Sequence, residues 1–370
     1  MDHSGDKRRS SVQQGVQVPQ EDAASLVYQA FHLDCRGTVE VRRQGPSLFA
    51  TDMDGKKAEF RLVGAPAHPG IEIVLTSDSE DRSRLASAVF EYLFSSKPSP
   101  SSLELSGAGW SKVSAQLAED GVAFTHENAS GRLLLFADMF WQTSKLWTQP
   151  NKCIFPRRET FDGKVSHPLR PRKPQGTVYA RYIPWLHGVL SLDAATFDDL
   201  PNIHRWMNDP RVNEFWNEAG DMEKHRQYLD IMFADPHILP LIGRFNGKAF
   251  SYFEIYWAKE DVVGTFCDAA NYDRGCHVIV GEEEYRGQRW FTAWLPSLIH
   301  YAFLDDPRTE HLLQEPSVLH HRQLRNLQRS GFSHLKSVDL PTKRAAIMSI
   351  SRDRFFSDKL WQPDVDLSVF

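Results

Sequence analysis

The residues best suited to do chemistry lie in one run, YDRGCHVIVGEEEYRGQRW, residues 272–290. Imidazole titrates nearest to physiological pH, so His277 is a candidate general base, or a donor that fixes a substrate hydroxyl. Strand alternation turns it away from Cys276 and Val278, to the same side as Ile279. A glycine turn that opens a helix directly after a strand offers unpaired N–H groups and the positive helix end to a phosphate. Gly287 permits close backbone approach, and Arg286 and Arg289 add charge beside Gln288. A pyrophosphate is the ligand such a turn would take. Taken alone, the same residues also describe a solvated loop and a core histidine, so the neighbouring elements must decide.

Those elements follow in a readable order. After a polar tail over residues 1–24, VYQAFHL, AEFRLVG and IEIVLTS are rich in β-branched and aromatic residues and read as strands. DRSRLASAVFEYLF follows as a helix, with Leu85, Val89 and Leu93 at helical spacing, and GRLLLF closes a small α+β unit over residues 25–147. Residues 148–178 carry Pro150, Pro156, Pro168, Pro171 and Pro174 among several cations, the pattern of an extended, solvent-exposed linker. The second domain, 179–370, begins with a strand at YARYIPW and helices over TFDDLPNIHRWMN and MEKHRQYLDIMF. A hairpin turning at Asn246-Gly247 comes next, then the strand GCHVIVG. The following helix carries Phe291, Trp294, Leu295, Leu298 and Ile299 on one face, with Pro296 expected to kink it. A strand near 311–313, a helix closed by Gly331 and two last strands complete the order.

Composition narrows the functions. At 370 residues with 25% charged residues and a formal charge of −5, the chain is an ordinary two-domain globular protein with no general pull toward nucleic acid or anionic membrane. The four cysteines, Cys35, Cys153, Cys267 and Cys276, suggest neither a disulfide framework nor a metal site. No stretch reads as a secretory signal or membrane span, and the final DLSVF is not a peroxisomal ending, so the expected location is cytoplasmic.

WMNDPRVNEFW (206–216), FEIYWAKEDVVG (253–264), YDRGCHVIVGEE (272–283), YRG (285–287), DDPRT (305–309), EPS (315–317) and GF (331–332), taken in order, resemble the siderophore branch of the GNAT superfamily. That branch comprises the aerobactin-type and mycobactin-type lysine acyltransferases and the fungal hydroxyornithine acyltransferases. The resemblance implies an α+β fold: a GNAT domain in the C-terminal half, behind a smaller α+β domain that would be a degenerate GNAT-like half. It implies acyl-CoA, acetyl or branched, as co-substrate, with no metal. The backbone of Val278, Ile279 and Val280 would pair with pantetheine, and Arg286 to Arg289 would take the pyrophosphate. Trp206, Asn208, Asp209 and Trp216 would line the acceptor side, with N5-hydroxyornithine the acceptor; strand alternation puts Glu254 and Tyr256 on one face, either toward that acceptor or as an edge-strand surface pair. An N6-hydroxylysine or lysine acceptor is the near alternative, and a catalytically silent acyl-CoA-binding scaffold the distant one.

The sequence departs from that family at two places. Glu284 and Arg289 replace the outer residues of the usual glycine loop, and Ser317 and His320 stand where many relatives carry Asp or Arg and then Asn. A carboxylate base at Ser317 therefore does not carry over. The N-terminal domain has no glycine-basic turn, which leaves it support, a lid or a homodimer contact as its work. The expected partners are small-molecule substrates only.

Overall fold

The structure, a computed structural model, describes residues 27–33, 37–65, 68–76, 82–125, 132–149 and 154–363. The expected tail, Cys35, Cys153 and the C-terminal DLSVF lie outside them. Two eight-stranded sheets dominate. The first comprises β1 (Val27–His32), β2 (Gly37–Gln44), β3 (Ser47–Asp52), β4 (Lys57–Ala65), β5 (His68–Thr76), β6 (Ser102–Leu105), β7 (Phe124–Thr125) and β8 (Leu133–Phe136), in the order 1-2-3-4-5-6-8-7. A ribbon of β9 (Glu159–Phe161) and β10 (Ser166–Pro168) follows. The second sheet comprises β11 (Thr177–Ile183), β12 (Gly188–Ala194), β13 (Ile238–Phe245), β14 (Lys248–Trp257), β15 (Arg274–Val280), β16 (His311–Gln314), β17 (Ser333–Asp339) and β18 (Arg344–Ser351), in the order 11-12-13-14-15-16-18-17.

The two orders are the same pattern. In each sheet the fifth and sixth strands form the parallel pair, joined over two residues only: Gly70–Ile71 with Glu104–Leu105, and Arg274–Gly275 with Leu312–Leu313. Beyond those residues the strands part. A long helix links the parting strands, α1 (Arg82–Ser95) in the first half and, in the second, a helix over Gln288–Asp305. A crossover helix is what a parallel pair demands.

The halves differ in what surrounds the parting strands. Between β12 and β13 the second half inserts α2 (Leu200–Met207), α3 (Pro210–Trp216) and α4 (Met222–Ala234), and the helix over Gln288–Asp305 is α5. The first half turns directly from β2 to β3 and has no such cover. Its own gap is filled by a 3-10 turn at Ala108–Lys112, where Trp110 is 2% exposed, donates its indole N–H to Ile71 O at 2.8 Å and stacks on Phe90. Gly109 lies so close to Ile73 that an added Cβ would stand 3.1 Å from its carbonyl oxygen. The first half thus closes with its own chain the space that the second half keeps.

The strands of the hairpin meet at Asn246-Gly247 with φ of 48° and 81°, the left-handed pair that a two-residue turn needs. α2 stops at Met207, ahead of Pro210. β2 and β3 were not among the expected strands, although Val39 and Val41 alternate with Thr38 and Glu40 as burial requires. α5 continues through Pro296 as one element.

The proline-rich segment is extended, but it is not a free tether. Arg170 is buried, grips Glu260 through two hydrogen bonds of 2.5 and 2.6 Å, and lies 4.2 Å from the ring centroid of Trp257. Lys173 binds the carbonyls of Met232 and Phe233 at the end of α4. One apolar cluster continues through both halves, and at the junction Trp141 stacks on Trp147 and Trp361 with centroids 4.6 and 5.2 Å apart. Burial lowers the His300 pKa to about 3, so the ring is neutral; it accepts from Tyr179 O–H and donates to Trp141 O.

The plug in the first half can be tested by Trp110→Ala. Removing a buried, hydrogen-bonded indole should cost about 3–5 kcal/mol in denaturant unfolding.

Candidate active site

β14 and β15 set the chemistry. Their register places Glu254 opposite His277, Tyr252 opposite Ile279 and Tyr256 opposite Gly275, so all six face one side of the sheet. Glu315 enters from the residue after β16, where the parallel pairing has ended. His277 Nδ1 lies 2.9 Å from Glu254 Oε2, and Nε2 lies 2.9 Å from Glu315 Oε1. Both carboxylates are nearly buried, at 3% and 7% exposure, whereas the imidazole is a third exposed.

Each carboxylate has further donors. Tyr252 O–H donates to Glu254 Oε1 at 2.9 Å, and Tyr228 of α4 donates to the same oxygen. Tyr256 O–H donates to Glu315 Oε2 at 2.8 Å, and Lys343 Nζ stands 3.8 Å from the other oxygen. Burial, reinforced by the adjacent carboxylates, raises the pKa of all three phenols, which fixes them as donors.

The protonation state follows. Burial would lower the His277 pKa, but the charge of Glu315 and the hydrogen bonds to both carboxylates outweigh it and hold the pKa well above the ordinary histidine value. Burial would raise the Glu315 pKa; His277, Lys343 and Tyr256 bring it down to about 2. At neutral pH the ring is therefore held as an imidazolium against the Glu315 carboxylate, with Glu254 at its other nitrogen. A ring with both N–H bonds committed has no lone pair to accept a proton, so the expectation of His277 as general base gives way to an imidazolium that holds two carboxylates.

Glycine makes room for this arrangement. A Cβ on Gly275 would stand 2.1 Å from the Tyr256 ring, whose phenol crosses that position to reach Glu315.

Of the residues expected on the acceptor side, Trp216 and Glu254 are at the site and three are elsewhere. Trp216 lies with its ring edge-on to His277, centroids 6.1 Å apart, and its indole N–H 3.3 Å from Val278 O. Glu254 holds His277. Trp206 is core, 1% exposed, packed on Gly281 and bonded to Glu282. Asn208 ties its own helix to Gly220. Asp209 caps α3 and pairs with Arg211 and Arg286; the Arg211 hydrogen bond, aided by Arg286, lowers its pKa to about 2. Glu315, two residues before Ser317, was not among the expected site residues, nor was Tyr228, because a tyrosine within an amphipathic helix gives no sign of its partner.

The turn after β15 departs from expectation in its side chains. Arg286 folds back onto Val280 O and Gly281 O, and Arg289 onto Trp185 O. Its backbone fits the expected ligand. Gly287 has φ of +94° with open space where a Cβ would point, and α5 begins there with no side-chain cap, its first backbone bond running from Phe291 N–H to Gly287 O. Val278 and Val280 lie where β15 has parted from β16. An extended arm along that edge, ending in a pyrophosphate at the helix end, matches what the backbone offers.

Comparison with known proteins gives the family. A model of the acetyltransferase (GNAT) domain matches residues 196–340. The N(6)-hydroxylysine O-acetyltransferase of Escherichia coli is 36% identical over 228 residues, 61% of this chain and 72% of that protein. The N(5)-hydroxyornithine:cis-anhydromevalonyl coenzyme A-N(5)-transacylase of Beauveria bassiana is 44% identical over 195 residues, 51% of this chain and 43% of that protein. The hydroxyornithine transacylase of Ajellomyces capsulatus is 44% identical over 197 residues, 52% and 45%. The chain belongs to the GNAT acyltransferase family. Within it, the chain resembles hydroxyornithine and hydroxylysine acyltransferases, and it spans less than half the length of the two fungal transacylases.

Two outcomes follow from the geometry. Gly275→Ala should push Tyr256 off Glu315 and reduce both the melting temperature and turnover, measured by calorimetry and coenzyme A release. Because the folded pKa of Glu315 is depressed, its contribution to stability is present above about pH 4.5 and lost as pH falls toward about 2. Glu315→Gln should therefore flatten the acid limb of stability against pH, by on the order of 3 kcal/mol.

Proposed function

We propose that the protein transfers an acyl group, acetyl or branched, from acyl-CoA to the side-chain hydroxylamine of N5-hydroxyornithine, in the cytoplasm, making a hydroxamate that chelates ferric iron. The observation that carries this reading is the doubly bonded His277. Acyl transfer needs a neutral nitrogen nucleophile. An alkyl amine with a pKa near ~10.4 arrives protonated at neutral pH, and a carboxylate held at about 2 does not deprotonate it. A hydroxylamine is far less basic and arrives neutral. The site therefore suits an N-hydroxylated acceptor better than lysine or ornithine.

Bound acyl-CoA supplies the thioester carbon. The hydroxylamine nitrogen forms the C–N bond as the C–S bond breaks. That nitrogen becomes strongly acidic on attack, so a weak base, water included, suffices to take its proton. The proton then leaves with the thiol. N6-hydroxylysine is a second acceptor of the same chemistry, favoured by the likeness to the Escherichia coli protein.

The test is coenzyme A release with mass detection of product, using acetyl-CoA or a branched acyl-CoA and each of N5-hydroxyornithine, N6-hydroxylysine, ornithine and lysine. Hydroxylated acceptors should be acylated and the plain amines at most a hundredth as fast. The rate should rise with pH as the hydroxylammonium loses its proton and then stay level. Equal turnover of ornithine would contradict the reading; acyl-CoA binding without any turnover would favour a silent scaffold.

A further inference from the structure

Backbone groups alternate sides along a strand, and Gly281 N–H donates to Phe250 O across the β14–β15 ladder. Residues 277, 279 and 281 therefore turn their amides toward β14, and Cys276, Val278 and Val280 turn theirs to the opposite edge. β16 covers that edge only as far as Gly275. Two side chains hold the next outward carbonyls. Arg286 donates to Val280 O at 3.0 and 2.8 Å and is anchored also on Gly281 O and Asp209. Trp216 Nε1 donates to Val278 O through a single bond of 3.3 Å.

We infer that Trp216 couples the two substrate sites: an acyl-CoA arm must take the Val278 carbonyl from the indole, and the displaced ring uncovers His277 for the acceptor. This rests on the acyltransferase reading above. An extended ligand that pairs with a strand edge runs along its outward carbonyls, and the indole that donates to Val278 O stands on that edge, so the ring must shift for the arm to lie there. Of the two side chains on the edge, Trp216 is the one that yields, because its hold is one long bond against several for Arg286. The same indole stands edge-on to His277, so it cannot leave Val278 while keeping that position. Binding is then ordered, acyl-CoA before hydroxylamine. α3 supplies the fixed base for the movement. Asp209 caps its first turn, Asn217 ends it in a left-handed conformation, and Phe215 stacks on His320 across the gap at 4.1 Å.

Trp216→Phe keeps an aromatic ring and removes the N–H. Titration calorimetry of the full chain should show coenzyme A binding about threefold to tenfold more tightly to the variant, the worth of one exchanged hydrogen bond. In the wild-type protein N5-hydroxyornithine should bind only when coenzyme A is present, whereas Trp216→Ala should bind it with or without the nucleotide. Circular dichroism checks that both variants fold. Equal or weaker coenzyme A affinity in Trp216→Phe, or acceptor binding to the wild type without coenzyme A, overturns the coupling. A wild-type protein that binds no coenzyme A at all would instead remove the acyltransferase reading.

Discussion

Two acidic side chains brought out of water onto one side of a sheet lose solvation, and here a protonated imidazole between them gives each a hydrogen-bonded partner. Glu254, His277 and Glu315 come from β14, β15 and the end of β16, so the arrangement exists only because β15 and β16 pair for two residues and then part. The remaining features serve that constraint. Three tyrosines satisfy the outer oxygens, and Gly275 leaves room for one of them to cross the strand. Losing one partner of a buried charge set is far costlier than losing a surface pair, typically about 3–5 kcal/mol. Stability and chemistry thus depend on the same three side chains.

The first half shows what the same topology becomes without that constraint. Its fifth and sixth strands part in the same way, yet Trp110 and its turn occupy the gap, and no helices correspond to α2, α3 and α4. What it supplies instead is bulk. The Trp141, Trp147 and Trp361 stack and the neutral His300 join it to β11 and α5, so α5, which begins at the glycine turn, rests on the N-terminal half. The proline-rich segment between the halves is clamped onto the second half by Arg170 and Lys173.

Much of the fold was legible because local rules acted alone. The Asn246-Gly247 turn, the stop of α2 ahead of Pro210 and the glycine start of α5 each follow from backbone geometry at a few residues. The site was legible in part. His277 and Glu254 stood out by type and alternation, and the family resemblance placed the glycine turn and Trp216. Glu315 was not assigned, because its meeting with His277 depends on register between strands 38 residues apart in sequence. The fate of the arginines was hidden for the same reason: charge can be counted in a sequence, but Arg286 and Arg289 spend theirs on carbonyls that only the folded chain brings near. The tryptophans show the limit most plainly, since Trp206 and Trp216 flank one loop and only the second reaches the site.

The most direct test of the account is the protonation of His277, read by nitrogen NMR of histidine-labelled protein and assigned by comparison with His277→Gln. The account predicts a doubly protonated imidazolium that persists well above pH 6.5, with both N–H signals protected by the two carboxylates. A neutral ring that titrates near 6.5 would contradict it, and would return His277 to the role of a free general base.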